Sequence, residues 1–259
     1  MRVDRLAVLV GVSLLAAMAC KGTDQAAGPA QKAASPGLRV DDSKTGTVKG
    51  RVILEGTPSP NAPIQMSADP VCARANEGGV TTEAFLVKDG GLENVFVYVK
   101  TGMEKYGFDA PGDPVKLDQV GCRYTPRVFG VRVGQPLEIA NSDPTLHNVH
   151  LVAKANDQFN FPQYVKGQTN RKTFDAKEVM VRFQCDVHPW MRSYAGVLDH
   201  PYFAVSANGG QFELKNVPAG TYTVEAWHER LGTKTQEITI GEKESRDVTF
   251  TFTPSASTN

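Results

Sequence analysis

In the last third of the chain the run CDVHPWM places Cys185, His188 and Met191 within seven residues, in a C-x2-H-x2-M pattern. Upstream, NSDPTLHNVH contributes His147. Together these side chains offer a thiolate, two imidazoles and a thioether. That donor set suits copper, with the thiolate and imidazoles binding strongly and the thioether acting as a weak axial donor. Zinc could use the same thiolate and imidazoles, but a thioether is a poor zinc ligand. The spacing has a physical reason. A short loop between two strands can fold Cys, His and Met around one ion, while a distant strand supplies the second His.

Taken singly, each residue has an ordinary alternative. A lone Cys185 would be a small buried hydrophobe. His188 would be a loop histidine, Met191 core filler and His147 a polar strand end. Taken together and in this order, C-x2-H-P-x-M and the HNVH run resemble the cupredoxins, most closely the short-loop, amicyanin-like members, over residues 113–198. The resemblance implies a Greek-key β-sandwich or barrel holding one mononuclear copper on His147, Cys185, His188 and Met191. It also implies that Asn148 ties the two ligand loops together near the cysteine sulfur. The expected activity is outer-sphere transfer of single electrons to and from a redox protein partner, not enzymatic turnover. Pro189 and Trp190 are expected to frame an exposed edge of His188, with Arg192 beside them, as the docking surface.

The other histidines fit that site less well. His150 lies three positions after His147, so strand alternation turns it to the opposite face. His200 and His228 fall outside the resembling region and read as hydrogen-bonded structural residues. No G-x-S-x-G elbow, P-loop or HExxH run is present, and five histidines are too few for a multicopper oxidase.

The elements that must position these donors read as strands. Short β-branched and aromatic runs broken by Gly, Pro, Asn and Asp occur at 47–55, 93–100, 127–133, 136–141, 146–153 and 178–185. Others follow at 194–198, 211–215, 221–228, 233–240 and 245–252, while 161–176 reads as loop. The expected class is all-β, with two packed sandwiches. From Tyr202 to Pro254, GGQFELKNVPAGTYTVEAW and TKTQEITI resemble the carboxypeptidase regulatory-like, transthyretin-like sandwich module. Four or five strands are too few to close a sandwich alone. GTVKGRVILEGTPSPNAP looks like the opening of the same module. The favoured order is therefore a split sandwich, 46–112 with 199–254, carrying residues 113–198 as an insertion; a tandem order is the alternative.

The N-terminus reads as an address. Arg2 and Arg5 precede an apolar run from Leu6 to Ala19, too short at about 1.5 Å per residue to cross a hydrocarbon core of roughly 30 Å. LAAMAC resembles a bacterial lipoprotein processing site, which implies removal of residues 1–19 and lipidation of Cys20. Residues 20–45, rich in Ala, Gly, Pro, Ser and Lys, read as a flexible tether to the membrane, and 255–259 as a tail. The reading places the protein on the exported, periplasmic or surface side of a bacterial membrane.

In that setting Cys72 and Cys122, left over once Cys20 and Cys185 are assigned, read as a disulfide; two buried thiols are the alternative. With 28 basic and 28 acidic residues among 259, the chain lacks the basic excess of a nucleic-acid binder. Two readings stand beside electron transfer: a copper carrier, and a non-redox binding or structural lipoprotein whose outer sandwich grips carbohydrate or protein.

Overall fold

Period-two alternation of apolar side chains, read along each run, decides which face of a strand goes inward. In strand Ser245–Phe252 the residues Val248, Phe250 and Phe252 are buried between exposed or half-buried neighbours. In strand His147–Val152 the inward residues are His147, Val149 and Leu151. The computed structural model describes residues 37–254. The apolar leader, Cys20 and the 255–259 tail lie outside the described residues.

The described chain is all-β apart from the helix Pro70–Ala75 and a short 3-10 turn. Its strands form four sheets. Strand Thr45–Leu54 runs antiparallel to Gln211–Pro218 and parallel to Ser245–Phe252. The facing sheet pairs Phe96–Thr101 with Gly220–His228, flanked by Phe203–Val205 and Gly232–Ile240. Val52, Val97, Val224 and Phe250 are among the buried residues of the core these sheets share. This outer sandwich is thus built from both ends of the described chain.

The inner sandwich comes from the intervening residues. One sheet runs Phe159–Gln163, His147–Val152, Glu178–Gln184, Arg192–Leu198 and Val128–Arg132, in that spatial order. The other runs Thr169–Lys172, Leu137–Asn141, Val115–Gln119 and Tyr124–Thr125. Leu117, Ile139, Val149, Phe183 and Ala195 lie in the core of this sandwich.

Two paired glycines let the sandwiches meet closely. Gly196 and Gly130 stand opposite each other on adjacent strands. A Cβ on Gly196 would lie 2.2 Å from the Phe96 ring, and one on Gly130 would lie 2.1 Å from the Phe203 ring. Both phenylalanines belong to the outer sandwich, and their rings stack on each other. Nearby, Arg127 of the inner sandwich makes a bidentate ion pair with Glu229 of the outer one, at 2.5 and 2.8 Å.

Three expectations are corrected. The stretch 161–176 holds strand pairing: Gln163 pairs with His147, and Thr169–Lys172 pairs along Leu137–Ala140. Both are edge strands: Thr169–Lys172 is wholly polar and carries no apolar alternation, while Phe159–Gln163 sets Phe159 and Phe161 against the inner core but holds a proline at Pro162. A segment inside the first half of the split sandwich is also placed differently, for Met66 and Cys72 pack into the inner core. Finally, the last residues of the 20–45 tether are held against the outer sandwich. Leu38 bonds to Lys105 and Gly107 through its backbone, and Arg39 pairs with Asp109 at 2.8 Å.

Candidate metal centre

Three adjacent strand ends bring the candidate donors together. His147 opens strand His147–Val152, Cys185 follows strand Glu178–Gln184, and Met191 precedes strand Arg192–Leu198. Cross-strand register holds these ends side by side: Gln184 pairs with His150 on one flank and Arg192 on the other. The Cys185–Met191 loop closes on itself, with the Cys185 N–H donating to Met191 O at 3.3 Å and the Met191 N–H to His188 O at 2.9 Å.

One ligand atom from each of His147, Cys185 and His188 falls within a sphere of mutual distance 4.8 Å. The two Nδ1 atoms are 2.9 Å apart, and Cys185 Sγ lies 3.7 Å from His188 Nδ1. All three residues are almost fully buried, and Met191, 1% exposed, belongs to the same buried cluster as Cys185. The chemistry of this set fits copper: a soft thiolate and two imidazoles converge, with a thioether close by in the chain.

The electrostatics favour an ionised sulfur. Burial pushes the Cys185 thiol up, but hydrogen bonds from His147, His188 and the Asn148 N–H outweigh it and bring the pKa to about 6. Burial pushes His147 down, and Asp143 together with the Cys185 sulfur reverses this, raising it to about 9.

Asn148 touches the Cys185–Met191 loop through both its backbone and its side chain. Its backbone N–H points at Cys185 Sγ, 3.4 Å away, and its side-chain oxygen accepts from the Asp186 N–H at 2.5 Å. Its amide also donates to Asn160. Tyr124 adds a second tie, donating to Asn148 O at 2.6 Å and set 3.2 Å from Gln184 O. His150 turns to the other face and pairs with Asp186 at 3.0 Å. His200 and His228 sit in the outer sandwich, where burial holds both well below the usual histidine range, at about 4.

The expectation of an exposed His188 edge is not met. His188 is 2% exposed, and its Nε2 faces Asp69 Oδ2 at 3.1 Å and Cys72 Sγ at 3.7 Å. Residues around the helix Pro70–Ala75 cover it, an arrangement invisible to a reading that assigned that stretch to the outer sandwich. Trp190 lies against the His188 ring, 5.1 Å between centroids, and donates to Cys122 O at 2.9 Å. Pro189 and Arg192 remain exposed.

Cys72 and Cys122 form a disulfide. Asp69 and Asp143, the carboxylates behind the two imidazoles, were not identified as site residues from sequence. Each stands in an Asp-Pro step, SADP and NSDP, a turn and helix-start signal that could have marked them.

No family model matches the chain, and no curated protein does. Among solved structures, a copper-containing nitrite reductase from Thermus scotoductus SA-01 aligns with 36% of this chain at 22% identity and TM-score 0.32. The chain covers 24% of that reductase, about a quarter of its length. A methionine-to-alanine variant of amicyanin in the Cu(I) state aligns with 34% of this chain and 85% of its own, at 24% identity and TM-score 0.30. A purple cupredoxin from Nitrosopumilus maritimus aligns with 32% of this chain and 98% of its own, at 19% identity and TM-score 0.28.

Proposed function

We propose that this protein is a mononuclear copper protein that carries single electrons between redox partners, exported and anchored to a bacterial membrane through Cys20. The observation that carries the reading is the buried convergence of His147, Cys185 and His188, with Met191 in the same cluster. Copper bound there would supply a one-electron couple. The protein supplies the rest. Cys185, held as a thiolate by its hydrogen-bond donors, gives a covalent route into the strand Glu178–Gln184. His147 and His188 fix the other strong donors, and burial keeps water from entering and rearranging the set. A donor set that stays fixed on loss or gain of an electron keeps the rearrangement small.

With His188 covered, partner contact moves to its surroundings. Leu146 and Val187, each one residue before a histidine of the site, are 37% and 46% exposed, and Pro189 is exposed beside them. The outer sandwich offers little to a sugar. Its broad concavity of about 650 Å³ is lined by charged Lys49, Arg51, Glu213 and Asp247, and its one aromatic, Phe212, is buried.

The test is direct. The full chain loaded with copper(II) should show an intense visible thiolate-to-copper band, abolished by Cys185→Ser, and a reversible one-electron wave at an electrode. A colourless protein that retains no copper overturns the reading.

A further inference from the structure

We propose that Asp69, Asp143 and the Cys72–Cys122 disulfide act as one buckle that holds both histidines with Nδ1 turned toward Cys185. The purpose assigned to the buckle rests on the copper reading. The buckle itself is a property of the metal-free chain.

The arrangement is doubled. Behind His147, Nε2 lies 3.0 Å from Asp143 Oδ2; behind His188, Nε2 lies 3.1 Å from Asp69 Oδ2. Each carboxylate is in turn aimed by the backbone of one half of the same disulfide. Asp143 accepts from the Cys122 N–H at 2.7 Å and the Gly121 N–H at 2.8 Å. Asp69 accepts from the Cys72 N–H at 3.1 Å and the Val71 N–H at 2.7 Å, capping the helix Pro70–Ala75. The disulfide joins these two backbone cradles. Asn76 ties them a second time, donating to Cys72 O at 2.9 Å and Gly121 O at 3.1 Å. Asp69 also takes the Thr145 hydroxyl at 2.9 Å, two residues before His147, so one carboxylate touches both ligand segments.

The chemistry follows from which ring nitrogen holds the proton. A carboxylate behind Nε2 requires N–H there, which leaves Nδ1 to face the sulfur and fixes the ring plane. A carboxylate held by two backbone N–H groups cannot drift, so the ring cannot flip without breaking the cradle. Asp69 and Asp143 are therefore positioning residues, and the disulfide is more than a staple between distant segments. A staple alone would contribute to stability and leave the rings indifferent to its loss.

The variant Asp69→Asn separates the two roles, because asparagine caps a helix as well as aspartate. Its oxygen can keep the Val71 and Cys72 bonds while its amide faces His188 Nε2 with donors only. Imidazole nitrogen NMR of the metal-free full chain reads the ring directly. Wild type should show protected Nε2–H signals from both rings. Asp69→Asn should lose that of His188 alone, and the double variant Cys72→Ser/Cys122→Ser should lose both. With copper bound, release to an excess chelator should be roughly 10–100-fold faster in each variant, with a displaced visible band. Unchanged ring signals in Asp69→Asn overturn the proposal, even if the cysteine variant fails to fold. Wild type that binds no copper overturns the copper reading instead, and the metal-free spectra still decide the buckle.

Discussion

His147 Nδ1 and His188 Nδ1 lie 2.9 Å apart, and only one proton fits between them. That proton belongs to His147, whose pKa is raised to about 9, while the Cys185 thiol is lowered to about 6. Between those values the metal-free site holds an imidazolium beside a thiolate. A raised histidine stabilises the fold fully below its ordinary value of 6.5 and loses that contribution as pH rises through about 9. A depressed thiol contributes fully above its ordinary 9.0 and loses its contribution as pH falls through about 6. Between 6.5 and about 9 one contribution falls as the other grows, so the pair should leave the stability of the metal-free protein nearly independent of pH there, and thermal melts across pH would show a plateau.

Copper must displace the His147 proton to reach Nδ1. Uptake of copper(II) near neutral pH should thus release about one proton per ion, since the thiolate is already formed. An indicator in weakly buffered solution measures this. Release of two protons would mean that the sulfur is held as a thiol, and release of none would mean that His147 is neutral.

Asn148 joins the two ligand loops through its side chain as well as its backbone. Asn148→Ala removes the acceptor for the Asp186 N–H and the donor to Asn160, but keeps the N–H that faces Cys185. The net loss should be about 1–3 kcal/mol, at roughly 0.5–1.5 kcal/mol for each of the two hydrogen bonds. Denaturant titration of the metal-free protein would read it as a lower midpoint with unchanged slope. The visible band of the loaded protein should shift less than in Asp69→Asn, since the sulfur keeps its donor.

The donors and the class of fold were legible because both are written locally. C-x2-H-x2-M is seven residues long, and alternation such as Val248, Phe250, Phe252 names its own inward face. What stayed hidden depends on meeting across the chain. Asp69 reaches His188 over 119 positions, and no local pattern says that a six-residue helix will lie on the Cys185–Met191 loop. The edge strand Thr169–Lys172 was hidden for a related reason: its four side chains are all polar, and pairing along Leu137–Ala140 makes it a strand.

Arg127 and Glu229 join the inner and outer sandwiches with side chains only 16% and 7% exposed. Arg127→Met would leave the Glu229 carboxylate buried without its partner and should cost about 3 kcal/mol. Replacing both, Arg127→Met with Glu229→Leu, should recover much of that loss, because the desolvated charge is gone as well. A double-mutant cycle by denaturant unfolding would separate the pair's coupling from the cost of an orphaned charge. If the double variant is no more stable than the single one, the two side chains do not act as a pair.

Gly196 faces a ring that has nowhere to go. Phe96 is fully buried and lies between Tyr98 and Phe203, so a methyl group placed 2.2 Å from it must push either the ring or the strand. Overpacking of this kind costs about 1–3 kcal/mol, and Gly130→Ala against Phe203 should behave alike. Gly112→Ala is the control, since a Cβ there meets nothing within 4 Å, and it should stay within about 0.5 kcal/mol of wild type. Because Gly196 and Gly130 are paired neighbours, Gly196→Ala and Gly130→Ala together should depart from additivity. A wild-type melting curve for Gly196→Ala would show that the two sandwiches do not meet through the Phe96 and Phe203 rings.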